Sequence, residues 1–301
     1  IEQHKDAICK HLYTQMRDNR PESLSSVFYD LSSTTFTGAR CVLLHWGHCK
    51  EGYQNHVVLA LVVNRDGLPF YWEVLPGSTA DVTTVTWLIE RLSRRFDLAE
   101  TTLVFDRGMV SDDNLVALEE MEIKYISAMD RNQLEGITGL DFTLFSHLDT
   151  AHVDEQAGEL SGFTKLNKNT YYREFPEKGN RRYILCLNPQ LFKDQRKARD
   201  QAIADFAAFV QELNADLSTA KRSRQYKSTK EKFTRRLKRM KLSTFVDVDL
   251  RLIHVKRESD QGATRTYQAA IVVDEQAKRT AEKLDGFWLL VTNHIERVNN
   301  H

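Results

Sequence analysis

Two aspartates in this chain of 301 residues stand where a carboxylate could take part in metal-dependent chemistry. Asp30 follows the apolar and aromatic residues 27–29, and Asp106 follows the apolar residues 103–105. A buried strand becomes abruptly polar in this way where it emerges at the edge of a sheet. If the two strands are neighbours, both carboxylates lie at one edge, an arrangement that suits Mg²⁺. Phosphodiester chemistry is the natural use of such a site.

Each aspartate also has a purely structural interpretation, which stays open at this stage. Asp30 could close a turn through Ser32 or Ser33, and Asp106 could pair with Arg107 or cap the helix that follows it. Either residue alone is readily explained in this way. The two together, in the strand order that the sequence predicts, favour a shared site.

The pattern of apolar residues predicts the elements that position the aspartates. Strand-like patterns occupy residues 27–36, 56–63, 70–75, 101–105 and 125–129. Helical spacing occupies residues 1–20, 81–92 and 111–121. Three antiparallel strands followed by helix, strand, helix and strand predict a mixed α/β sheet covered by helices.

Changes in the pattern of apolar and charged residues along the chain predict four regions. They are a helical lead-in at 1–26, the first part of the core at 27–135, an insertion domain at 136–284 and a closing core strand at 285–301. We expect the insertion to be mostly β with one basic helix. Roughly half of residues 221–241 are Lys or Arg, and a solvated helix face is the ordinary explanation of such a run. Its apolar stripe favours binding of a phosphate backbone instead. The DNA-binding candidates are Arg222, Arg224, Lys227, Lys230, Arg235, Arg236 and Arg239.

Composition excludes several classes of protein. The 42 basic residues equal the 42 acidic ones, so the overall charge neither indicates nor excludes a nucleic-acid partner, and local charge must decide. No apolar run approaches the ~20 residues of a membrane span, and no secretory signal is visible. The cysteines form no C-x-x-C pair, which favours a reducing cytoplasm. Zinc binding by Cys41, His45, His48 and Cys49 is disfavoured, because these residues lie too close together for the usual structural spacing.

The sequence resembles the DDE transposases of bacterial insertion sequences, in the insertion-sequence-four-like group, whose catalytic core is RNase H-like. The resemblance rests on these segments: DLSSTTF at 30–36, GHCKE at 47–51, the strand at 57–63 with DGLP at 66–69, PGSTAD at 76–81, VFDRGM at 104–109, residues 125–126 and 182–183, and DGFWLLVTN at 285–293. It implies that Asp30 and Asp106 are the first two metal-binding acids of a site for two Mg²⁺ or Mn²⁺ ions. Asp81, Arg107 and Gly108 would surround them.

The resemblance further implies transposase function. Water would attack a phosphodiester at a transposon end, and the freed 3′-hydroxyl would attack target DNA. The implied partners are transposon-end DNA, target DNA and a second copy of the chain in a synaptic complex, and the implied location is the bacterial nucleoid. Asp81 with Thr84 is most simply a helix N-cap pair. Gly108 is expected to permit a tight turn, and Arg107 to orient a phosphate or an acid.

One feature of the family is missing from its expected place. The third acid is a Glu on a helix after the final strand, within a motif of Tyr, Arg, Glu and Lys at fixed spacings, and no tyrosine of this chain shows that spacing. Tyr171 to Glu174 would lie in one strand, and Glu296 lacks the surrounding residues. We therefore expect a chain truncated before the catalytic helix and inactive alone. A DNA-binding remnant without catalysis, or an RNase H-like nuclease unrelated to transposition, are the alternatives.

Overall fold

The computed structural model of the chain describes residues 2–37, 40–98, 100–130, 133, 136, 139–175, 179–256 and 263–295. The chain divides into two compact units. Unit 1 comprises Ile1–Gly139, Arg173–Cys186 and Trp288–His301, and unit 2 comprises Leu140–Tyr172 and Leu187–Phe287. Residues 173–186, which the sequence analysis assigned to the insertion, therefore lie in unit 1. Both Asp30 and Asp106 also lie in unit 1.

Unit 1 is built on a mixed sheet. Its strands are β1 (Ser26–Thr35), β2 (His45–Cys49), β3 (Gly52–Asn64), β4 (Pro69–Pro76), β5 (Thr102–Phe105) and β6 (Lys124–Met129), with β9 (Arg182–Leu187) and β12 (Phe287–Thr292) farther along the chain. β3 pairs antiparallel with β1, β2 and β4, whereas β5 pairs parallel with β1 and β6. The strand order is β2-β3-β1-β5-β6-β12-β9, and β4 pairs with β3 off this path. The expected mixed α/β sheet is confirmed.

The α-helices longer than one turn in the described residues of unit 1 are α1 (Lys5–Asn19), α2 (Thr84–Ser93) and α3 (Asp112–Glu120). The apolar stripe predicted for α2 is confirmed, because Val85, Leu88, Ile89 and Leu92 recur at helical spacing and all four are buried. The helix α3 begins where the Ser111 hydroxyl accepts a hydrogen bond from a backbone N–H of its first turn. Both helices follow turns that carry an acid of the candidate site.

The segment Gly47–Glu51 differs in part from what the resemblance implies, which is a loop that leads into the next strand. Residues 47–49 belong to β2 and pair antiparallel with the first residues of β3. The Cys49 thiol donates a hydrogen bond to the Gly52 carbonyl, 3.1 Å away, at the end of this hairpin. Backbone pairing with β3 therefore outweighs a local sequence that has little apolar alternation.

Unit 2 contains more helix than the β-rich insertion that the sequence analysis predicted. Its helices are α4 (Val153–Glu159), α5 (Pro189–Ser218), α6 (Tyr226–Arg239) and α7 (Glu275–Glu282), and its strands include β7 (Thr164–Asn167), which pairs with β8 (Thr170–Glu174), and the antiparallel pair β10 (Val246–Lys256) and β11 (Ala263–Val273). Phe206, Phe233, Leu237 and Val248 share one buried cluster. Among the described helices, none is both long enough and apolar enough to cross a bilayer.

Candidate active site

Asp30 and Asp106 occupy adjacent places on neighbouring parallel strands. The last paired positions of β1 and β5 are Tyr29 and Phe105, and each aspartate is the next residue along the chain. Neighbouring strands lie about 4.8 Å apart, so the backbones of the two aspartates lie side by side. Both aspartates are exposed to solvent. The sequence therefore predicted correctly that the two strands are neighbours.

The position of Asp30 within its strand was predicted wrongly. β1 does not end at Asp30 but continues to Thr35, and Asp30 pairs with Leu61 of β3. The edge exists because β5 stops at Phe105 while β1 runs on beside β3. The turn interpretation of Asp30 is also wrong, because Asp30 lies inside a strand, and the Ser33 hydroxyl accepts a hydrogen bond from the backbone N–H of Lys50 instead.

The Asp106 carboxylate has a structural contact as well as a free oxygen. Its Oδ1 accepts a hydrogen bond of 2.8 Å from the backbone N–H of Arg107, which caps the short 3-10 turn Arg107–Met109. The interpretation of Asp106 as a capping residue was therefore correct for the short turn Arg107–Met109. Within the described ranges no donor lies within hydrogen-bond distance of Oδ2. Arg107 itself is exposed, and its orienting role stays a prediction.

Asp81 approaches the same place from the turn before α2. A Cβ atom built on Gly108 would lie 3.6 Å from Asp81 Oδ2, so this carboxylate lies next to the turn that follows Asp106. Burial raises the pKa of Asp81, and the negative charges of Asp106 and Asp30 raise it further. The charges of Asp30 and Asp106 therefore act on the Asp81 carboxylate at this edge of the sheet.

The expectation that Asp81 caps α2 was wrong. The Asp81 side chain does not cap α2; the Thr84 hydroxyl donates instead to the backbone carbonyl of Asp81 at 2.7 Å. Gly108 does lie in a tight turn, Arg107–Met109, but it has no positive φ, so the backbone of that turn does not require glycine. The missing side chain instead leaves open space between this turn and Asp81.

Asn114 is the residue near the site that the sequence analysis missed. It is buried in the first turns of α3, and its side-chain amide donates to the carbonyls of Val82 and Met109 at 2.7 and 2.8 Å. These carbonyls belong to the segments that follow Asp81 and Asp106. A polar residue in the first turns of a helix is unremarkable in sequence, and no signal there indicates that it bridges two turns.

The two adjacent aspartates fit part of a divalent-cation site. Carboxylate oxygens are the hard ligands that Mg²⁺ and Mn²⁺ prefer, and water or substrate phosphate ordinarily completes their coordination. Asp30 is exposed, and one oxygen of Asp106 is not engaged in the cap. Across the described part of the chain, however, no group of three or more His, Cys, Asp or Glu side chains is placed to hold a metal ion.

The third acid was considered at two positions, Glu296 and the segment Tyr171–Glu174. Glu296 lies outside the described residues. Tyr171, Tyr172, Arg173 and Glu174 lie in β8, as the sequence analysis expected. There Glu174 accepts a hydrogen bond of 2.6 Å from Arg182 of β9, which gives this acid a structural partner.

The basic helix α6 has two kinds of cation. Lys230 and Arg236 flank its buried stripe: Lys230 forms an ion pair of 2.7 Å with Asp247, and the guanidinium of Arg236 lies 5.4 Å from the centre of the Phe209 ring. Because Lys230 and Arg236 make these contacts within unit 2, we no longer favour them as DNA-binding residues. The exposed cations are Lys227, Lys232, Arg235, Lys238 and Arg239, with Arg222 and Arg224 exposed just before the helix.

Comparison with known proteins identifies a family. The family model described as "Transposase DDE domain" matches residues 32–245, a range that includes Asp106 and begins two residues after Asp30. No curated protein matches the chain. The solved structures with similarity include the Mos1 transposase paired-end complex (13% identity, TM-score 0.25, 40% of each chain covered) and the piggyBac transposase synaptic complex (12% identity, TM-score 0.32, 60% of this chain and 37% of that one). The matched region thus spans well under half of either transposase. Because the family model covers more than half of the 301 residues, the chain belongs to the transposase DDE domain family.

Proposed function

We propose that the chain is the catalytic core of a DNA transposase of the insertion-sequence-four-like group and that Asp30 and Asp106 are its first two metal-binding acids. The adjacency of these carboxylates, one residue beyond the Tyr29–Phe105 pair, is the observation that carries the proposal. Membership of the transposase DDE domain family supports it. The resemblance of DLSSTTF and VFDRGM to the family's motifs supports the assignment of the two residues.

The proposed reaction has two steps at phosphorus. In the first, water adds to a phosphodiester at the transposon end and the 3′-oxygen leaves as a free hydroxyl. In the second, that hydroxyl loses its proton and bonds to a phosphorus of target DNA, whose own 3′-oxygen leaves. Asp30 and the free oxygen of Asp106 would hold Mg²⁺ or Mn²⁺, which when bound would supply positive charge to stabilise the attacking and leaving oxygens. Arg107 would contact a phosphate of the substrate.

We propose that α6 binds the DNA backbone through its solvent-facing cations. Lys227, Arg235 and Lys238 lie opposite the buried stripe of Phe233 and Leu237, and Glu231 is the acid among them. Phosphate contacts by Lys and Arg need no particular base sequence, which suits a helix that carries charge without a base-reading pattern. Unit 2, which contains most of residues 136–284, would then be an insertion domain that adds DNA contacts to the core.

A transposase of this kind would act on the bacterial chromosome, as a dimer that holds two transposon ends. We also propose that this chain alone has little activity. The resemblance requires a third acid, and in the ranges that the structure covers the two aspartates have no third ligand beside them. Two carboxylates leave a metal position under-coordinated. Robust nicking of supercoiled plasmid with Mn²⁺, abolished in Asp30→Ala, would contradict this part of the proposal.

Direct Mn²⁺ binding tests the assignment of the two acids. We would titrate the purified chain with Mn²⁺ and follow the free ion by electron paramagnetic resonance. The wild-type protein should bind, and Asp30→Asn and Asp106→Asn should each weaken binding by about tenfold or more. Asp113→Asn is the matched control, because Asp113 is an exposed acid in the first turn of α3. Equal affinity in all four proteins would reject the proposed site. If Mn²⁺ affinity is equal in all four proteins and Asp30→Asn and Asp106→Asn still bind DNA, the alternative of a DNA-binding remnant without catalysis is favoured.

A further inference from the structure

The side chain of Asn114 connects the two turns that carry Asp81 and Asp106. Its Nδ2 donates to the carbonyl of Val82, the residue after Asp81, and to the carbonyl of Met109, the last residue of the turn after Asp106. Its Oδ1 accepts a hydrogen bond of 3.2 Å from the Thr86 hydroxyl in the first turn of α2. Three of the four hydrogen-bonding capacities of one amide therefore join these two segments.

Asn114 is itself held firmly. It is 7% exposed, and its backbone N–H donates to the Ser111 hydroxyl that caps α3 at 3.1 Å. A buried amide with satisfied partners cannot change rotamer without breaking several hydrogen bonds at once. The distance between the two turns is therefore set by a side chain that does not move freely.

The position of Asp81 depends on this connection. Its carboxylate makes no side-chain cap at α2 and lies next to Gly108, two residues after Asp106. The bonds from Asn114 to Val82 and from Thr86 to Asn114 anchor the backbone on the C-terminal side of Asp81. We propose that Asn114 is a positioning residue that holds Asp81 beside the pair Asp30 and Asp106, so that Asp81 adds a third negative charge to the cation site.

This inference rests on the proposed function and deepens it. Asp81 is not placed to complete a group of metal ligands, so it acts through its charge rather than as a ligand. A carboxylate several ångströms from a dication, with water between them, changes its affinity by roughly three- to tenfold. Unlike a structural residue, Asn114 should therefore change cation affinity, and it should do so through Asp81.

A double-mutant cycle with Mn²⁺ alone as the probe tests the inference. The proteins are the full chain with Asp81→Asn, with Asn114→Ala and with both. Each single variant should weaken Mn²⁺ binding roughly three- to tenfold, and the double variant should bind no more weakly than the weaker single variant, because the two residues act as a unit. Thr86→Val, which removes one of the three side-chain bonds, should have a smaller effect in the same direction.

Asn214→Ala is the matched control. Asn214 also makes two side-chain bonds to backbone, both with Ala269 at 2.8 Å, but it lies in unit 2. It should lower thermal stability as Asn114→Ala does and leave Mn²⁺ affinity unchanged. If Asn114→Ala does not fold, the Mn²⁺ affinity of Asp81→Asn still tests whether the charge of Asp81 contributes to the cation site. Asp81 is an exposed residue, so this variant should fold.

Three results would overturn the inference. They are unchanged Mn²⁺ affinity in Asp81→Asn, unchanged affinity in folded Asn114→Ala, and fully additive effects in the double variant. Binding that depends on Asp30 but on neither Asp81 nor Asn114 contradicts this inference alone. A wild-type chain that binds no Mn²⁺ contradicts the proposed function, and this inference falls with it.

Discussion

The Asp106 carboxylate accepts a hydrogen bond from the backbone N–H of Arg107 through Oδ1, at 2.8 Å, while Oδ2 faces no described donor. Oδ1 of Asp106 therefore stabilises the turn, whereas Oδ2 is available to bind a ligand. Asp30, its neighbour on β1, has no such structural contact in the described residues. The two acids of one proposed site should therefore respond differently to the same substitution.

The first prediction separates the structural and chemical roles of Asp106. Asp106→Asn keeps an oxygen that can accept from Arg107 N–H, so its stability in EDTA should match that of the wild type. Asp106→Ala removes the cap and should lower the free energy of unfolding by about 1 kcal/mol. Both should weaken Mn²⁺ binding by about tenfold or more. Urea unfolding in EDTA measures the first effect, and metal titration measures the second.

The same pair of substitutions at Asp30 is the control. Asp30→Asn and Asp30→Ala should have closely similar stabilities, because no cap is lost in either. A stability gap at Asp30 as large as that at Asp106 would show that the capping bond is not the cause of the difference.

The second prediction concerns DNA binding by α6. Replacement of Lys227, Arg235 and Lys238 by Gln should weaken binding to any duplex sequence about equally, because these residues would contact phosphates. If each makes one contact, the slope of log affinity against log salt concentration should fall by about 0.9 for each lost cation. Stability should change little, since all three side chains are exposed. Salt titrations of fluorescence anisotropy with two unrelated duplexes measure both quantities.

Lys230→Gln and Arg236→Gln are the matched controls on the same helix. They should lower stability, because Lys230 pairs with Asp247 and Arg236 packs on Phe209, yet leave the salt slope nearly unchanged. A larger loss of slope in these controls than in the solvent-facing variants would reject the assignment of the DNA-binding face.

The sequence predicted the part of the fold that depends on local patterns. The apolar spacing of α2 and the abrupt polarity after Tyr29 and Phe105 are visible along the chain, because burial of one helix face or one strand imposes them directly. The residues that a side chain contacts in the folded protein cannot be recognised from such local patterns. Lys227 and Lys230 are three residues apart and of the same type, and only the approach of Asp247 from β10 distinguishes them. The role of Asn114 is hidden for the same reason, since its partners are backbone carbonyls.

The third prediction concerns acid stability in unit 1. Glu73 accepts hydrogen bonds from Lys5 and Tyr71 and pairs with Arg91; burial opposes ionisation of the Glu73 carboxyl, but these partners lower its pKa below the usual value. A lowered folded-state pKa contributes stability that is present above the unfolded-state pKa of about 4.3 and is lost as the pH falls through the folded-state value. The wild-type protein should therefore lose stability in that range.

Glu73→Gln tests this prediction. It leaves Lys5, which is 8% exposed, without its anionic partner and should cost about 3 kcal/mol at pH 7. The gap between the wild type and Glu73→Gln should narrow as the pH falls below about 4, because the wild-type carboxyl is then being protonated. Urea unfolding at several pH values measures the gap. A gap independent of pH would mean that the charge of Glu73 contributes nothing.

The fourth prediction is that Asp285 has a structural rather than a metal-binding role, although it opens the DGFWLLVTN motif. Its side chain is 1% exposed, and both of its oxygens accept from the guanidinium of Arg199 on α5, at 2.7 and 2.8 Å. Asp285→Asn should leave the half-buried Arg199 charge with only its longer ion pair to Glu282, 3.8 Å, and lower the free energy of unfolding by about 3 kcal/mol. Replacing both residues, as Asp285→Leu with Arg199→Met, should recover part of that loss, because the Arg199 charge is removed together with its main partner. Any Asp285→Asn protein that stays folded should bind Mn²⁺ as the wild type does. Loss of Mn²⁺ affinity without loss of stability would instead make Asp285 part of the cation site.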